Sequence, residues 1–227
     1  TDMPIEYTYQ IIEPGHDFYT FKMKEYAGVD PETGNAMWYL NETGDETTFE
    51  YNKAAKRYLG SASPKLQGSF INSFNIYDFD FSFQFNYSVG GMIYANHLRY
   101  DEQTGSAYFN AFTRYVYENR WQQPGDVTDV PKMAWGDNSA SRHSSRYLFK
   151  GDYLKLQNVV LGYTLPRDIT SKIRIDKIRL YFVASNVFTV ASKEYRGFDP
   201  AGIGPNGVQW WNYPTPRKFM FGINVNF

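Results

Sequence analysis

Residues 77–89, YDFDFSFQFNYSV, alternate without a break. Tyr77, Phe79, Phe81, Phe83, Phe85, Tyr87 and Val89 hold the odd positions; Asp78, Asp80, Ser82, Gln84, Asn86 and Ser88 hold the even ones. Successive side chains on a strand point to opposite sides, so this stretch predicts a β-strand with one aromatic face and one polar face. At roughly 3.3 Å per residue it would run about 43 Å, and its two faces suit two different solvents.

The same reading predicts four more strands: 65–76, 146–163, 175–190 and 217–227, with the opening strand extended to 79–93. In the last of them Phe219, Phe221, Ile223, Val225 and Phe227 share one face, opposite Lys218, Met220, Gly222, Asn224 and Asn226. The connections alternate in length. Two are short, a tight turn at Tyr77 and Asp78 and the segment TLPRDITSKIR; two are long, one running through 94–145 and one reading KEYRGFDPAGIGPNGVQWWNYPTP. A soluble sandwich has no reason to gather its long loops at one end, whereas membrane barrels have short turns at one rim and long loops at the other. On that reading the aromatic face meets lipid and the polar face meets a polar lumen; about 9–11 tilted residues cross a bilayer.

Composition adds limits. Aromatic residues make up 19% of the chain, a bias that suits strands. The balance of 23 basic against 24 acidic residues carries no footprint for nucleic acid. Without cysteine there is neither a disulfide framework nor a thiolate metal site. No apolar run approaches the ~18 residues of a membrane helix, which leaves a membrane barrel open. The opening TDMPIEY has neither an initiator Met nor a signal segment, as expected of a mature product or a fragment.

Within the loops, AYFNAFTRYVYENRW (107–121) places Tyr108, Phe112, Tyr115 and Val116 at helical spacing and predicts a packed amphipathic helix. GVDPETGNA (28–36) and DEQTG (101–105) read as turns, and their acidic residues do not fit the spacing of a calcium loop, so no metal is expected. His16, His97 and His143 lie scattered without spaced partners. Asp126 and Asp129 sit in a Pro/Gly-rich loop and read as solvated. Neither catalysis nor a cofactor is expected. Trp135, Trp210 and Trp211 fall in loop sequence, where they could stack on sugar rings, grip a peptide, pack the loop or line the lipid interface.

Three blocks in order, SSRYLFKGDYLKLQNVVLGYTLP (144–166), KIRLYFVASNVFTVASKEYRGFDP (177–200) and YPTPRKFMFGINVNF (213–227), resemble the C-terminal part of SusC/RagA-type TonB-linked outer-membrane transporters. YAGVDPETGNAMWY (26–39), FNIYDFDFSFQFNYSVGGMIY (74–94) and NRWQQPGDVTDVPKM (119–133) resemble further blocks of that family. The resemblance implies an all-β fold: an antiparallel transmembrane β-barrel segment, the C-terminal strands of a barrel of about 22 strands, with long extracellular loops. It implies an extracellular excursion over 1–64, a barrel hairpin over 65–93, a long loop with a short helix over 94–145, a second hairpin over 146–190, an extracellular loop over 191–216 and a last strand over 217–227. It also implies that Phe219, Phe221, Ile223, Val225 and Phe227 form the aromatic signal read by the outer-membrane assembly machinery.

Implied partners are the plug and remaining barrel strands, a SusD-like surface lipoprotein, the TonB complex and the lipid bilayer of a Gram-negative outer membrane. The implied activity is energised import of oligosaccharides or peptides. Two other classes remain open on the residues alone, a soluble carbohydrate-binding β-sandwich and a surface adhesin. Either would have to bury the aromatic faces, because soluble monomers tolerate little contiguous exposed apolar area.

Overall fold

The structure is a computed structural model that describes residues 3–106 and 111–227. Seven short strands come first: β1 (Ile5–Glu6), β2 (Gln10–Ile12), β3 (Thr20–Lys24), β4 (Tyr26–Val29), β5 (Ala36–Tyr39), β6 (Thr47–Thr48) and β7 (Lys56–Ser61). Then follow β8 (Leu66–Ile76), β9 (Phe79–Val89), β10 (Met92–Ala95), β11 (Leu148–Lys150), β12 (Tyr153–Thr164), β13 (Lys177–Ala191), β14 (Val208–Gln209) and β15 (Lys218–Asn226). Three short helices, α1 (Leu98–Asp101), α2 (Arg114–Asn119) and α3 (Arg167–Thr170), lie in the connections. No described helix is long and apolar enough to cross a membrane, which says nothing about strands.

The long strands form one five-stranded antiparallel sheet in the order β15-β13-β12-β9-β8. Register sorts the sheet into two faces. Phe74, Phe81, Leu161, Phe182 and Phe221 form one cross-strand row, and Asn72, Phe83, Val159, Ala184 and Phe219 the next. The opposite face carries rows such as Ile71, Gln84, Asn158, Ser185 and Lys218. A bulge at Gln157, matched by Asn186 at φ 55 on β13, shifts the alternation, so the apolar face passes from Leu154 and Leu156 to Val159, Leu161 and Tyr163.

No second sheet covers the apolar face among the described residues. Phe219 is 60% exposed and Phe221 84%. Burying one such side chain is worth about 1.5–3 kcal/mol, so a face of this size left to water would be a heavy penalty. The core lies elsewhere, in the excursions, around Phe21, Met23, Tyr94, Leu98, Tyr147 and Phe149, with a smaller cluster at Trp38, Ala36 and Ala54. This arrangement does not favour the sandwich or adhesin, whose aromatic faces would have to be buried.

The excursions all leave the same end of the sheet. Residues up to 65 enter at Leu66, 90–152 link Val89 to Tyr153, and 192–217 link Ala191 to Lys218. Two predicted strands prove shorter than expected. The strand predicted at 79–93 leaves the sheet at Val89, and the one predicted at 146–163 joins it only at Tyr153. Gly90, at φ +85, makes the break, its N–H donating to Asp152 Oδ1 at 2.6 Å. The backbones then cross closely, Gly151 N–H donating to the Gly91 carbonyl at 2.7 Å, and a Cβ on Gly91 would meet the Ala62 carbonyl at 2.8 Å. Beyond this kink the same two segments pair again as β10 and β11, in a separate small sheet.

Of the helix predicted over 107–121, the described residues hold α2 (Arg114–Asn119). Residues 107–110, including Tyr108, lie outside the described residues; α2 begins after Thr113, whose extended backbone (φ −67, ψ 157) and side-chain acceptor cap it, and ends where Arg120 turns extended. Val116 is its buried anchor; Phe112 precedes the helix and is exposed.

Candidate functional site

On the polar face, hydrogen bonds run along β9 and between strands. Ser69 Oγ donates to Asn86 Oδ1 (2.8 Å), Gln84 Nε2 to the same oxygen (3.0 Å), Asn158 Nδ2 to Gln84 Oε1 (3.2 Å) and Ser185 Oγ to Asn158 Oδ1 (3.0 Å). Nearer the short-turn end, Arg179 forks onto Asp80, with Nε donating to Oδ1 at 2.8 Å. Gly222 leaves the room that the Tyr181 ring occupies, for a Cβ there would lie 2.2 Å from it. The face thus offers amides, hydroxyls and the Arg179–Asp80 ion pair to a polar ligand.

Where this face runs into the excursions, a cleft of about 240 Å³ opens. Gln67, Ser88 and Tyr153 supply its sheet side, while Pro64, Pro200 and Gly207 close it from the excursions. The last excursion is pinned over the sheet by β14, which pairs with β10 in parallel, and by buried Gln209, whose Oε1 accepts from Tyr195 Oη (2.6 Å) and Phe198 N–H (3.0 Å). Lys155 reaches from the sheet to Asp199 at 2.7 Å, a pair almost fully removed from water.

Trp210 and Trp211 follow Gln209 directly. Their rings stand 6.3 Å apart, Trp211 lies 5.0 Å from Tyr100, and all three are partly exposed. The structure therefore brings two of the three predicted tryptophans together, adds Tyr100, and keeps them out of the lining of the cleft. Trp135 lies in another turn, held by Ala134 N–H to the Thr104 carbonyl (3.0 Å) and Gly136 N–H to the Gly105 carbonyl (3.0 Å), and is 85% exposed. Tyr100 carried no sequence signal beyond being one of many aromatics.

A charge network unforeseen from the sequence holds the excursions together. Glu102, 1% exposed, receives Arg196 in a fork at 2.9 and 3.0 Å, and the buried Arg146 lies beside it at 3.8 Å and donates to its backbone carbonyl. Asp129, read as a solvated loop carboxylate, accepts from Tyr115 Oη at 2.6 Å and takes part in this network. Asp126 instead caps its own turn through the N–H groups of Gln122 and Gln123.

The three histidines have separate packing roles. His16 stacks on Tyr58, His97 on Phe198, and His143 Nδ1 pairs with Tyr94 Oη at 2.9 Å. Burial lowers His97, while burial and then the Arg99 charge push His143 down to about 4. Burial raises Tyr147 to about 12. Among the described residues no group of three His, Cys, Asp or Glu side chains could hold a metal ion. In the acidic turn at 30–35, Asp30 Oδ2 accepts from Thr33 N–H, and the Pro31 carbonyl accepts from Trp121 Nε1; the turn is a packing platform.

A two-faced antiparallel sheet with an uncovered aromatic face, open edges and every large excursion at one end defines a piece of a membrane barrel wall. Comparison with known proteins agrees. The chain is 29% identical to TonB-dependent receptor P3 of Formosa agariphila over 96% of its own length and 23% of that protein's. It is 30% identical to TonB-dependent receptor P39 of the same organism over 86% of its length and 19% of that protein's. It superposes on a solved structure of the RagAB peptide transporter with a TM-score of 0.83 at 28% identity, covering 98% of this chain and 24% of that one. RagAB in its "open-open" state gives 0.82. No protein-family profile matches the chain. The chain belongs to the SusC/RagA-type TonB-dependent transporters and is a segment of their β-barrel. It spans about a quarter or less of the length of the relatives it matches.

Proposed function

We propose that the chain is the C-terminal barrel portion of an outer-membrane importer that takes up peptides or oligosaccharides in a Gram-negative bacterium, powered through TonB and served by a SusD-like surface lipoprotein. The observation that carries this reading is the pairing of an uncovered aromatic face with a hydrogen-bonded polar face, all large excursions lying at one end. In this reading the aromatic face meets lipid, the polar face lines the lumen, and the excursions, including 1–64, 94–145 and 191–216, stand outside the cell. The neighbouring structures are described as a peptide transporter and importer, and this favours peptide over glycan as cargo. The plug, the other strands and the TonB contact belong to parts of the transporter outside this segment. The residues Phe219, Phe221, Ile223, Val225 and Phe227 act as the assembly signal.

Trp210 and Trp211, with Tyr100, form the cargo-gripping patch of the last excursion, and Trp135 offers a second contact. Replacing Trp210 and Trp211 by Ala in the full-length transporter removes stacking worth about 0.5–1.5 kcal/mol per ring pair. Uptake should fall while barrel abundance holds. If abundance falls in step with uptake, the rings pack the loop; if neither changes, the patch does not touch cargo.

A further inference from the structure

The connection between β12 and β13 is built the wrong way round for water. It runs LPRDITSKIRID over 165–176, through α3 and a 3-10 turn. Thr170 is fully buried, while Ile169 and Ile173, four residues apart, are 52% and 57% exposed. Around them stand the exposed cations Arg167, Lys172, Arg174 and Lys177, against the carboxylates of Asp168 and Asp176. Among the described residues none of these cations forms an ion pair. Arg174 sits at φ 57, a left-handed position that glycine adopts most easily, so the turn keeps a cation where conformation alone would choose glycine.

This turn adjoins an apolar groove of about 510 Å³ on the aromatic face, walled by Phe79, Leu161, Tyr163, Leu180, Phe182 and Phe221. Tyr163 and Leu180 are cross-strand partners close to the points where β12 and β13 enter the turn, so the groove lies at the turn's end of these strands. The other short connection at this end also exposes an aromatic side chain, Tyr77 at φ 52, but beside Asp78 and without a cation.

We propose that the groove and the turn form a binding site for an anionic phospholipid of the membrane leaflet at this end of the sheet. One acyl chain lies along the groove, Ile169 and Ile173 sit among the upper acyl carbons, and Arg167, Lys172 and Arg174 hold the headgroup phosphate. Exposed apolar residues interleaved with long cations are the composition of a membrane interface, where apolar parts enter the acyl boundary and charged tips remain among headgroups. The proposal rests on reading the aromatic face as lipid-facing. A protein docked on the turn would use the cations but leave unexplained the apolar groove on the lipid-facing side at the same end of the strands.

The test uses the full-length transporter, purified, stripped of lipid, and offered phosphatidylglycerol and phosphatidylcholine of matched chains, with retained lipid read by native mass spectrometry. Wild type should retain phosphatidylglycerol in preference. Removing charge with R167Q, K172Q and R174Q together should cut that retention by about five-fold per charge, at unchanged phosphatidylcholine retention and unchanged folded barrel. Leu180→Trp, which fills the groove, should lower retention of both lipids. Equal retention of the two lipids by wild type, or a charge-removed variant that keeps its preference, overturns the site. If that variant keeps the lipid but loses crosslinks to a periplasmic protein, the turn is a protein-docking surface and the proposal is wrong. A wild-type transporter recovered in the soluble fraction sinks the lipid-facing reading and this site with it; a membrane-inserted barrel without lipid preference sinks the site alone.

Discussion

Phe83 and Gln84 are neighbours in the chain and face different solvents. Phe83 packs in a row of rings with Phe70, Phe74, Phe81 and Phe85, at centroid distances of 5.7 to 6.3 Å. Gln84 belongs to the amide ladder of the polar face. Arginine at Phe83 places a charge among lipid tails, at about 2–4 kcal/mol near the midplane, whereas arginine at Gln84 points into water. Only Phe83→Arg should lower the amount of folded transporter at the surface; equal levels for the two would reverse the assignment of the faces. Gly222 sets a second test at this scale. Gly222→Ala pushes a methyl into Tyr181 and should cost about 1–3 kcal/mol, as overpacked sites do, and Tyr181→Ala should restore the loss. Heat-modifiable mobility of the barrel on gels reads both.

The excursions depend on Glu102. Its carboxylate is the shared partner of Arg196 and Arg146, which come from segments far apart in sequence. Glu102→Gln takes the nearest counter-charge from both guanidinium groups, leaving Arg196 only the more distant Asp129 at 3.8 Å, and breaking a buried pair in this way costs about 3–5 kcal/mol. Hydrogen exchange should quicken across 94–147 and 192–209 while β8, β9, β12 and β13 stay protected; uniform protection would show that the network is dispensable. His143 adds a pH dependence in the same region. Its folded value of about 4 lies below the ordinary 6.5, so between those values the unfolded excursion takes up a proton that the folded one refuses. The stabilisation is complete above about 6.5 and is lost as pH falls towards about 4. Exchange near His143 should accelerate on going from neutral to acidic buffer, and His143→Gln should flatten that response.

Five strands with two open edges do not close a barrel. In lipid, each unpaired backbone group on β8 and β15 costs several kcal/mol, and no strand among the described residues pairs their outer edges. Residues 1–227 expressed alone in detergent should therefore give no protease-resistant, heat-modifiable species. A stable water-soluble monomer would defeat the membrane reading.

Much of this design was legible in the order of residues, for a physical reason: alternation on a strand depends only on neighbours, so the aromatic and polar faces of β9 and β15 could be read without a fold. Chain length between strands likewise revealed which end bears the excursions. Other features depend on contacts between distant segments. The kink at Gly90 and Gly91 needs the second backbone crossing at Gly151, so the predicted strands ran too far. Within the helix expected over 107–121, α2 starts after Thr113 because a cap, not the periodicity, sets its beginning. Asp129 read as a solvated loop carboxylate, and nothing local marked Glu102, Arg146 or Arg196; only the packing of separate segments joins them around the buried Glu102. For the same reason the pairing of Trp211 with Tyr100 had no local signature: the parallel contact of β14 with β10 brings those rings together, and no pattern within either segment announces it.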